Sequence, residues 1–409
     1  MKIARLSHPP LFCLVLFAAL FIFPPSVQGQ APDSYPELGS EAAVLLDAET
    51  GTVLFSKNAD EEIPPASLTK LMTMHLVFRE IEAGRASPDE TISPPRQSWA
   101  INQPPGSSLM NLANGQILSL RELLLGMAIF SGNDAAAAAA LRFAPSIEDF
   151  VGMMNREAVS LGLLKTHFVD PAGYWEQNMT TAAEFAEFCR IYLNAHPESI
   201  RDYHSVMEFA YPLADNVAER YRENPGTRVH QNHNTLLQSV EGVDGLKTGY
   251  IPEAGYNIAL TAERKGSRFI AVILGAPSEW RGDRIRDDDG RKLLEWAFGN
   301  YRTLRLAPEK PGPLRVFKGK ENYTELEWGA PLIFTSLAER GENIRLETEL
   351  LDPLIAPLPA GSAVGTLVVY DSIGELRRIP LLTANDIERG GFWKRLFDSI
   401  RLFFKKKIR

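Results

Sequence analysis

The chain has 409 residues, 45% hydrophobic and 23% charged, the balance of a globular protein long enough for two or three cored domains. Its net charge of −8 is unevenly placed: in residues 392–409 seven Lys and Arg face only Asp398, a balance of +6 that leaves −14 on the remainder. An acidic body with a short basic end excludes nucleic acid as a partner.

At the N-terminus, Lys2 and Arg5 precede an apolar run over 11–23, which is short for a bilayer span and ends in Pro24-Pro25 and Val27-Gln28-Gly29. This predicts a secretory signal peptide over 1–29, cleaved near Gly29, and hence an exported protein; an uncleaved N-terminal anchor is the alternative. Of the two cysteines, Cys13 lies in that segment, which leaves Cys189 alone and excludes an internal disulfide in the mature chain. Cys189 sits in "AAEFAEFCRIYL", a helical apolar pattern, and reads as a buried structural thiol rather than a nucleophile.

Further along, "AAVLLDAETGTVLFSKNAD" predicts two strands joined at Glu49-Thr50-Gly51. Leu68, Leu71, Met72, His75, Leu76 and Ile81 recur near 3.6 spacing and predict a helix over 67–83. "LSLRELLLGMAIFSGNDAAAAAALRFA" predicts two helices broken at Ser131-Gly132-Asn133, and "IEDFVGMMNREAVSLG" a third, ended by Gly162. "YNIALTAERKGSRFIAVILGA" predicts a hairpin about Arg264-Lys265-Gly266, and "RKLLEWAFGNY" a helix. Strands at both ends of this unit, with helices between, predict an α/β domain over 30–306 built on one antiparallel sheet with helices on both faces. "APEKPGP" (307–313) reads as a linker. Short alternating segments then predict a small all-β domain over 307–385. In the last segment, 386–409, Phe392, Trp393, Leu396, Phe397, Ile400, Phe403 and Phe404 share one helical face opposite Lys and Arg. That pattern fits a helix lying in an anionic membrane surface, against the alternative of a helix docked on the protein's own core.

Three short motifs carry candidate chemistry. Ser67-x-x-Lys70 places a hydroxyl and an amine on one helical face, where a desolvated lysine can take the serine proton. The pair alone is weak evidence, because on the order of one chance occurrence is expected in such a chain and Ser67 could simply cap the helix. Ser131-Gly132-Asn133 interrupts two apolar helices, where a polar break is costly unless it is used. Lys247-Thr248-Gly249, followed by Tyr250, offers a cation, a hydroxyl and a side-chain-free stretch of edge strand along which a substrate backbone can approach. Singly, a loop turn and a charged edge strand would account for the last two. His230 and His233 lack the further ligands a zinc site needs and read as loop residues.

In this order, with separations of 64 and 116 residues, the motifs resemble the penicillin-binding protein and serine β-lactamase superfamily, and more closely its low-molecular-mass D-alanyl-D-alanine carboxypeptidases. The likeness extends over about 41–301, including "AVLLDAETGTVLFSKNADEEIPPASLTKLMT" and "VDGLKTGYIPEAGYNIALTAERKGSRFIAVILGAPS". The resemblance implies a DD-peptidase/β-lactamase-like fold and no cofactor or metal. It implies that Ser67 attacks the penultimate D-alanine carbonyl, that Lys70 takes its proton, and that Ser131 and Asn133 relay protons and hold the substrate amide. Lys247 and Thr248 would bind the terminal carboxylate, and the N–H groups of Ser67 and Tyr250 the oxyanion. The family's arginine after the hairpin falls by register on Arg286, with Arg284 as the alternative. The implied partners are peptidoglycan peptides ending in D-Ala-D-Ala, β-lactam antibiotics and, through the terminal helix, the outer face of the cytoplasmic membrane in the bacterial periplasm.

The sequence also departs from the family pattern. The family often has Asn-x-His-Gly where "VDPAGYWEQ" places Ala172, Ser-Ala-Arg-Asp where "TAAE" ends in Glu184, and Arg-Asn-x-Leu-Leu where this chain begins with His233. A β-lactamase is the first competing reading, but no Asn between Ser131 and Lys247 has a Glu four residues earlier, the spacing of a class A deacylating base. A DD-endopeptidase and a non-catalytic wall-binding scaffold are the others; a scaffold would not require Ser67, Lys70, Ser131, Asn133 and Lys247 together.

Overall fold

A computed structural model describes residues 34–407 apart from 280, 341 and 342; the expected signal peptide and Cys13 lie outside the described residues. The first unit opens with the hairpin β1 (Ala42–Asp47) and β2 (Val53–Lys57). A 3₁₀ turn (Ala66–Thr69) leads into α1 (Lys70–Glu82). The short pair β3 (Thr91–Ile92) and β4 (Leu118–Ser119) precedes α2 (Leu120–Leu125), α3 (Asn133–Phe143), α4 (Ile147–Ser160) and α5 (Ala182–Ala195). A second small pair, β5 (Glu208–Tyr211) with β6 (Arg228–Gln231), and α6 (Leu236–Ser239) complete this helical part. Then come β7 (Val243–Ile251), β8 (Gly255–Arg264), β9 (Ser267–Ala276) and α7 (Gly282–Asn300).

The five long strands form one antiparallel sheet in the order β2-β1-β9-β8-β7, so the strands from the two ends of the unit meet where β1 pairs with β9. Both faces are covered. Ile270, Val272 and Leu274 of β9 pack with α1–α5, while Phe269, Ala271 and Ile273 pack with α6 and α7. That is why "FIAVIL" is a continuous apolar run instead of an alternating one. The turn between β8 and β9 has Lys265 at φ 50° and Gly266 at φ 77°, the mirror-image geometry that suits a tight hairpin. Cys189 is fully buried on α5, and burial pushes its thiol pKa up, which leaves it inert.

The second unit is all β: β10 (Tyr301–Arg305), β11 (Leu314–Phe317), β12 (Tyr323–Thr324), β13 (Leu326–Trp328), β14 (Ile333–Leu337), β15 (Arg345–Leu350), β16 (Leu354–Ile355), β17 (Ala363–Tyr370) and β18 (Glu375–Thr383). β10 precedes the 307–313 linker yet pairs with β14 beyond it. Asp47 joins the two units. Its buried Oδ2 accepts Thr303 Oγ1 at 2.7 Å and Thr335 Oγ1 at 2.8 Å, while Oδ1 accepts the N–H groups of Glu49 and Thr50.

The terminal helix, α8 (Phe392–Lys407), is seated by its polar face. Asp398, 1% exposed, accepts Lys318 N at 2.7 Å and Lys394 Nζ at 3.2 Å. The apolar face is left open, with Trp393, Phe397, Ile400, Phe403 and Phe404 all exposed. The alternative of a helix covering the protein's own core therefore does not hold for this face. Among the described residues, no helix is long and apolar enough to cross a membrane.

Candidate active site

The catalytic candidates converge at one end of the sheet, where β7, its edge strand, runs past the start of α1. Ser67 lies in the 3₁₀ turn just before α1, behind Ala66 at φ 51°. Its hydroxyl faces the Lys70 amine at 2.9 Å, and neither N-cap position, Pro65 or Thr69, makes a side-chain cap bond. The expected helix start thus becomes a tight turn that aims a hydroxyl at an amine.

Lys70 is fully buried. Its Nζ also donates to Asn133 Oδ1 at 2.8 Å and to the Ala172 carbonyl at 2.7 Å. Desolvation brings its pKa down from 10.5 to about 7, against the opposing pull of Asp170 and Asp134. When neutral, the amine can keep its N–H bonds to Asn133 and Ala172 and turn its lone pair toward Ser67 Oγ. That is the state a general base for the serine proton needs.

The break between α2 and α3 is sharper than two capped helices. α2 runs into a π-helical turn, Gly126–Phe130, and the chain reverses at buried Ser131, whose φ is 57°. Asn133 then starts α3 and donates from Nδ2 to Ser107 Oγ at 3.1 Å. Asp134, beside it, accepts the N–H groups of Met110 and Leu112 and so shapes the 107–112 wall.

On the other side, Lys247 is buried on β7, and desolvation, with the charges of Lys70 and Arg286, drives its pKa well below 10.5. Thr248 is buried and Tyr250 exposed, its ring 4.3 Å from that of Tyr256. Gly249 is required by close approach: a Cβ there would lie 2.9 Å from Pro65 O and 3.1 Å from Ser67 N. Arg286 is buried, paired with Asp287 at 2.7 Å, and close enough to Lys247 to act on its charge, whereas Arg284 is exposed. His233 keeps an exposed surface, yet desolvation of the ring and then the charges of Lys247, Arg286, His230 and Lys70 lower its pKa to about 4, so it is neutral at pH 7. His230 stacks on Phe130 with centroids 3.9 Å apart.

A cleft of about 490 Å³ opens onto this centre, lined by Ser67, Ser107, Asn133, Tyr174, Trp175 and Tyr250 among others. One wall is the 170–178 turn, where the family pattern is broken. The absent histidine side chain leaves its position serving through backbone: the Ala172 carbonyl holds Lys70, and Thr73 Oγ1 donates to Pro171 O at 2.7 Å. Gly173, at φ 76°, lies so close to the Ser67 turn that a Cβ would sit 1.8 Å from Ala66 O. Glu184 accepts Lys165 N and Thr166 Oγ1. Asp134, Asp170, Asn178 and Ser107 belong to none of the three sequence motifs. Only the acid directly after Ser131-Gly132-Asn133 offered a local signal.

An α/β sheet domain with a serine facing a desolvated lysine, an Asn-bearing helix break and a Lys-Thr-Gly edge strand defines a serine–lysine acyl-transfer hydrolase. Comparison with known proteins makes this specific. The family model described as D-alanyl-D-alanine carboxypeptidase matches residues 28–278, and that described as penicillin-binding protein 5, C-terminal domain, matches 301–389. The chain belongs to the D-alanyl-D-alanine carboxypeptidase family of low-molecular-mass penicillin-binding proteins. It is 33% identical to D-alanyl-D-alanine carboxypeptidase DacC of Escherichia coli (strain K12), over 95% of this chain and 94% of that one. It is 34% identical to DacD of the same organism, over 94% and 97%. Among solved structures, penicillin binding protein 5 from Haemophilus influenzae superposes with a TM-score of 0.73 at 27% identity, covering 87% of this chain and 99% of that one.

Proposed function

We propose that this protein is a serine-type D-alanyl-D-alanine carboxypeptidase that removes the terminal D-Ala of peptidoglycan stem pentapeptides and is acylated by penicillins. The observation that carries the reading is the Ser67–Lys70–Asn133 chain, Ser67 half-buried at the cleft and Lys70 and Asn133 buried behind it, with Lys70 near neutrality. Ser67 Oγ attacks the penultimate D-Ala carbonyl as Lys70 Nζ takes its proton. The oxyanion rests on the N–H groups of Ser67 and Tyr250, a placement supported by β7 lying against the Ser67 turn at Gly249. Asn133 holds the substrate amide. The lysine proton passes by way of Ser131 to the departing D-Ala nitrogen as the C–N bond breaks. Water then opens the Ser67 ester, returning its proton along the same route.

Lys247, Thr248 and Arg286 receive the terminal carboxylate, with neutral His233 at the rim. A substrate carboxylate would favour the charged form of Lys247, which burial and its cationic neighbours disfavour. A β-lactam carrying a carboxylate beside a strained amide would enter the same way. The protein would work outside the cytoplasmic membrane, held at an anionic lipid surface by α8, whose apolar face is open and whose other face is basic. The test is release of D-Ala from diacetyl-Lys-D-Ala-D-Ala by the purified mature chain. Steady turnover is expected, and an intact peptide after prolonged incubation would contradict the reading.

A further inference from the structure

The wall of the cleft opposite β7 is built around a single carboxylate. Asp170 is 8% exposed. Its Oδ1 accepts Ala172 N and Gly173 N, each at 2.7 Å. Its Oδ2 accepts Tyr174 N at 3.0 Å, Trp175 N at 3.1 Å and Asn178 Nδ2 at 2.7 Å. Five donors thus converge on two oxygens and wind the 170–178 chain into a closed turn. The turn leaves the Ala172 carbonyl pointing at Lys70 Nζ, 2.7 Å away, and carries Tyr174 across the cleft to donate to Pro105 O at 2.9 Å.

We propose that Asp170 is the positioning residue of the catalytic lysine, fixing the Ala172 carbonyl that orients the Lys70 amine toward Ser67. The inference rests on the carboxypeptidase reading above. Asp170 makes no hydrogen bond to Lys70 and is not among the residues lining the cleft; it acts through the backbone it gathers. Its identity matters. An asparagine, the residue of the family's pattern at this point, would turn an NH₂ group onto either the Ala172 and Gly173 donors or the Trp175 and Asn178 donors, whichever way it flipped. Only a carboxylate satisfies both sets. In this chain, which lacks the family's histidine at 172, the buried acid has taken charge of the turn. It also acts on the amine at a distance, as the first of the two negative charges that oppose the desolvation of Lys70. Asp134 is the other; Lys247 of β7 and the His233 ring also lie near enough to Lys70 to feel its charge, and Arg286 of α7 acts in turn on Lys247.

The test is the rate of acylation by penicillin at saturating concentration, followed from about pH 5 to 9 for the mature chain and two variants. Asp170→Asn removes the charge and half of the turn's acceptors. Asn178→Ala removes one donor to Asp170, together with the acceptor of Val169 N and Asp170 N, and keeps the charge. Both are expected to lower the rate constant by roughly ten- to a hundredfold, because the lysine loses its orientation. In Asp170→Asn alone, the acid limb of the profile moves to lower pH, since loss of a nearby negative charge makes Lys70 easier to deprotonate. Apparent binding of penicillin is expected to hold in both, because Lys247 is untouched. A wild-type rate in either variant would overturn the proposal, as would an unmoved acid limb in folded Asp170→Asn or an equal limb shift in both variants. If Asp170→Asn does not fold by its thermal transition, Asn178→Ala decides alone: slowed acylation with an unshifted limb supports the proposal, and a wild-type rate rejects it. Failure of the wild-type chain itself to be acylated would instead overturn the functional reading.

Discussion

Lys70 shows how one residue sets the working conditions of the site. Its three acceptors, Ser67 Oγ, Asn133 Oδ1 and Ala172 O, would satisfy an ammonium, yet burial holds its pKa near 7. The sign of the linkage follows from that depression. Below about pH 7 the folded protein carries a buried charge that the unfolded chain would solvate, so the full cost is present there. Between about 7 and 10.5 the unfolded chain binds more protons and stability rises with pH as that cost is relieved. Lys70→Met is therefore expected to abolish D-Ala release and yet raise the thermal midpoint, by more near pH 6 than near pH 9, as calorimetry at the two pH values would read. A midpoint lowered equally at both would mean that the lysine contributes more by its hydrogen bonds than it costs by its charge. Replacing a catalytic group often shows this trade of activity for stability.

At the scale of elements, the hydrophobic pattern was enough to place β1, β2, α3–α5, the β8–β9 hairpin and α7, because periodicity reports which face is buried. The pairing of the end strands followed from it. What was not legible depends on contacts between distant positions. Lys70 meets Ala172 across 102 residues, and Asp134 and Asp170 organise backbone through N–H groups, which have no sequence signature. The strand β10 was missed because its partner β14 lies beyond the linker. In the sequence, His75 is simply one of the positions at helical spacing on the apolar face of α1. In the structure its Nδ1 lies 2.8 Å from His196 Nε2, while its Nε2 meets Glu157 at 3.1 Å and His196 Nδ1 meets Glu82. Two ring nitrogens that close need a proton between them, and each outer nitrogen faces a carboxylate, so the chain locks α1 to α4 and to the residue ending α5. His196→Ala would leave buried His75 Nδ1 without its partner. We expect a loss of about 1–3 kcal/mol in urea unfolding, with penicillin still binding. An unchanged midpoint would show that water takes over the bond at no cost.

For the whole molecule, the catalytic unit is joined through Asp47 to a β unit, which in turn seats α8 by Asp398 with the apolar face turned outward. This arrangement suits a catalytic domain held off a surface on a β pedestal. Truncation after Gly391 is expected to abolish sedimentation with vesicles containing anionic lipid while leaving D-Ala release intact. Continued sedimentation of the truncated chain would place the lipid contact elsewhere.

The central claim is that Ser67 is the nucleophile of this assembly, and the most direct measurement is intact-protein mass spectrometry after exposure to penicillin, for the mature chain and for Ser67→Ala. The account predicts one covalent penicilloyl adduct on the first, mapped to the peptide containing Ser67, and none on the second. An adduct that persists in Ser67→Ala, or no adduct on either protein, would contradict it.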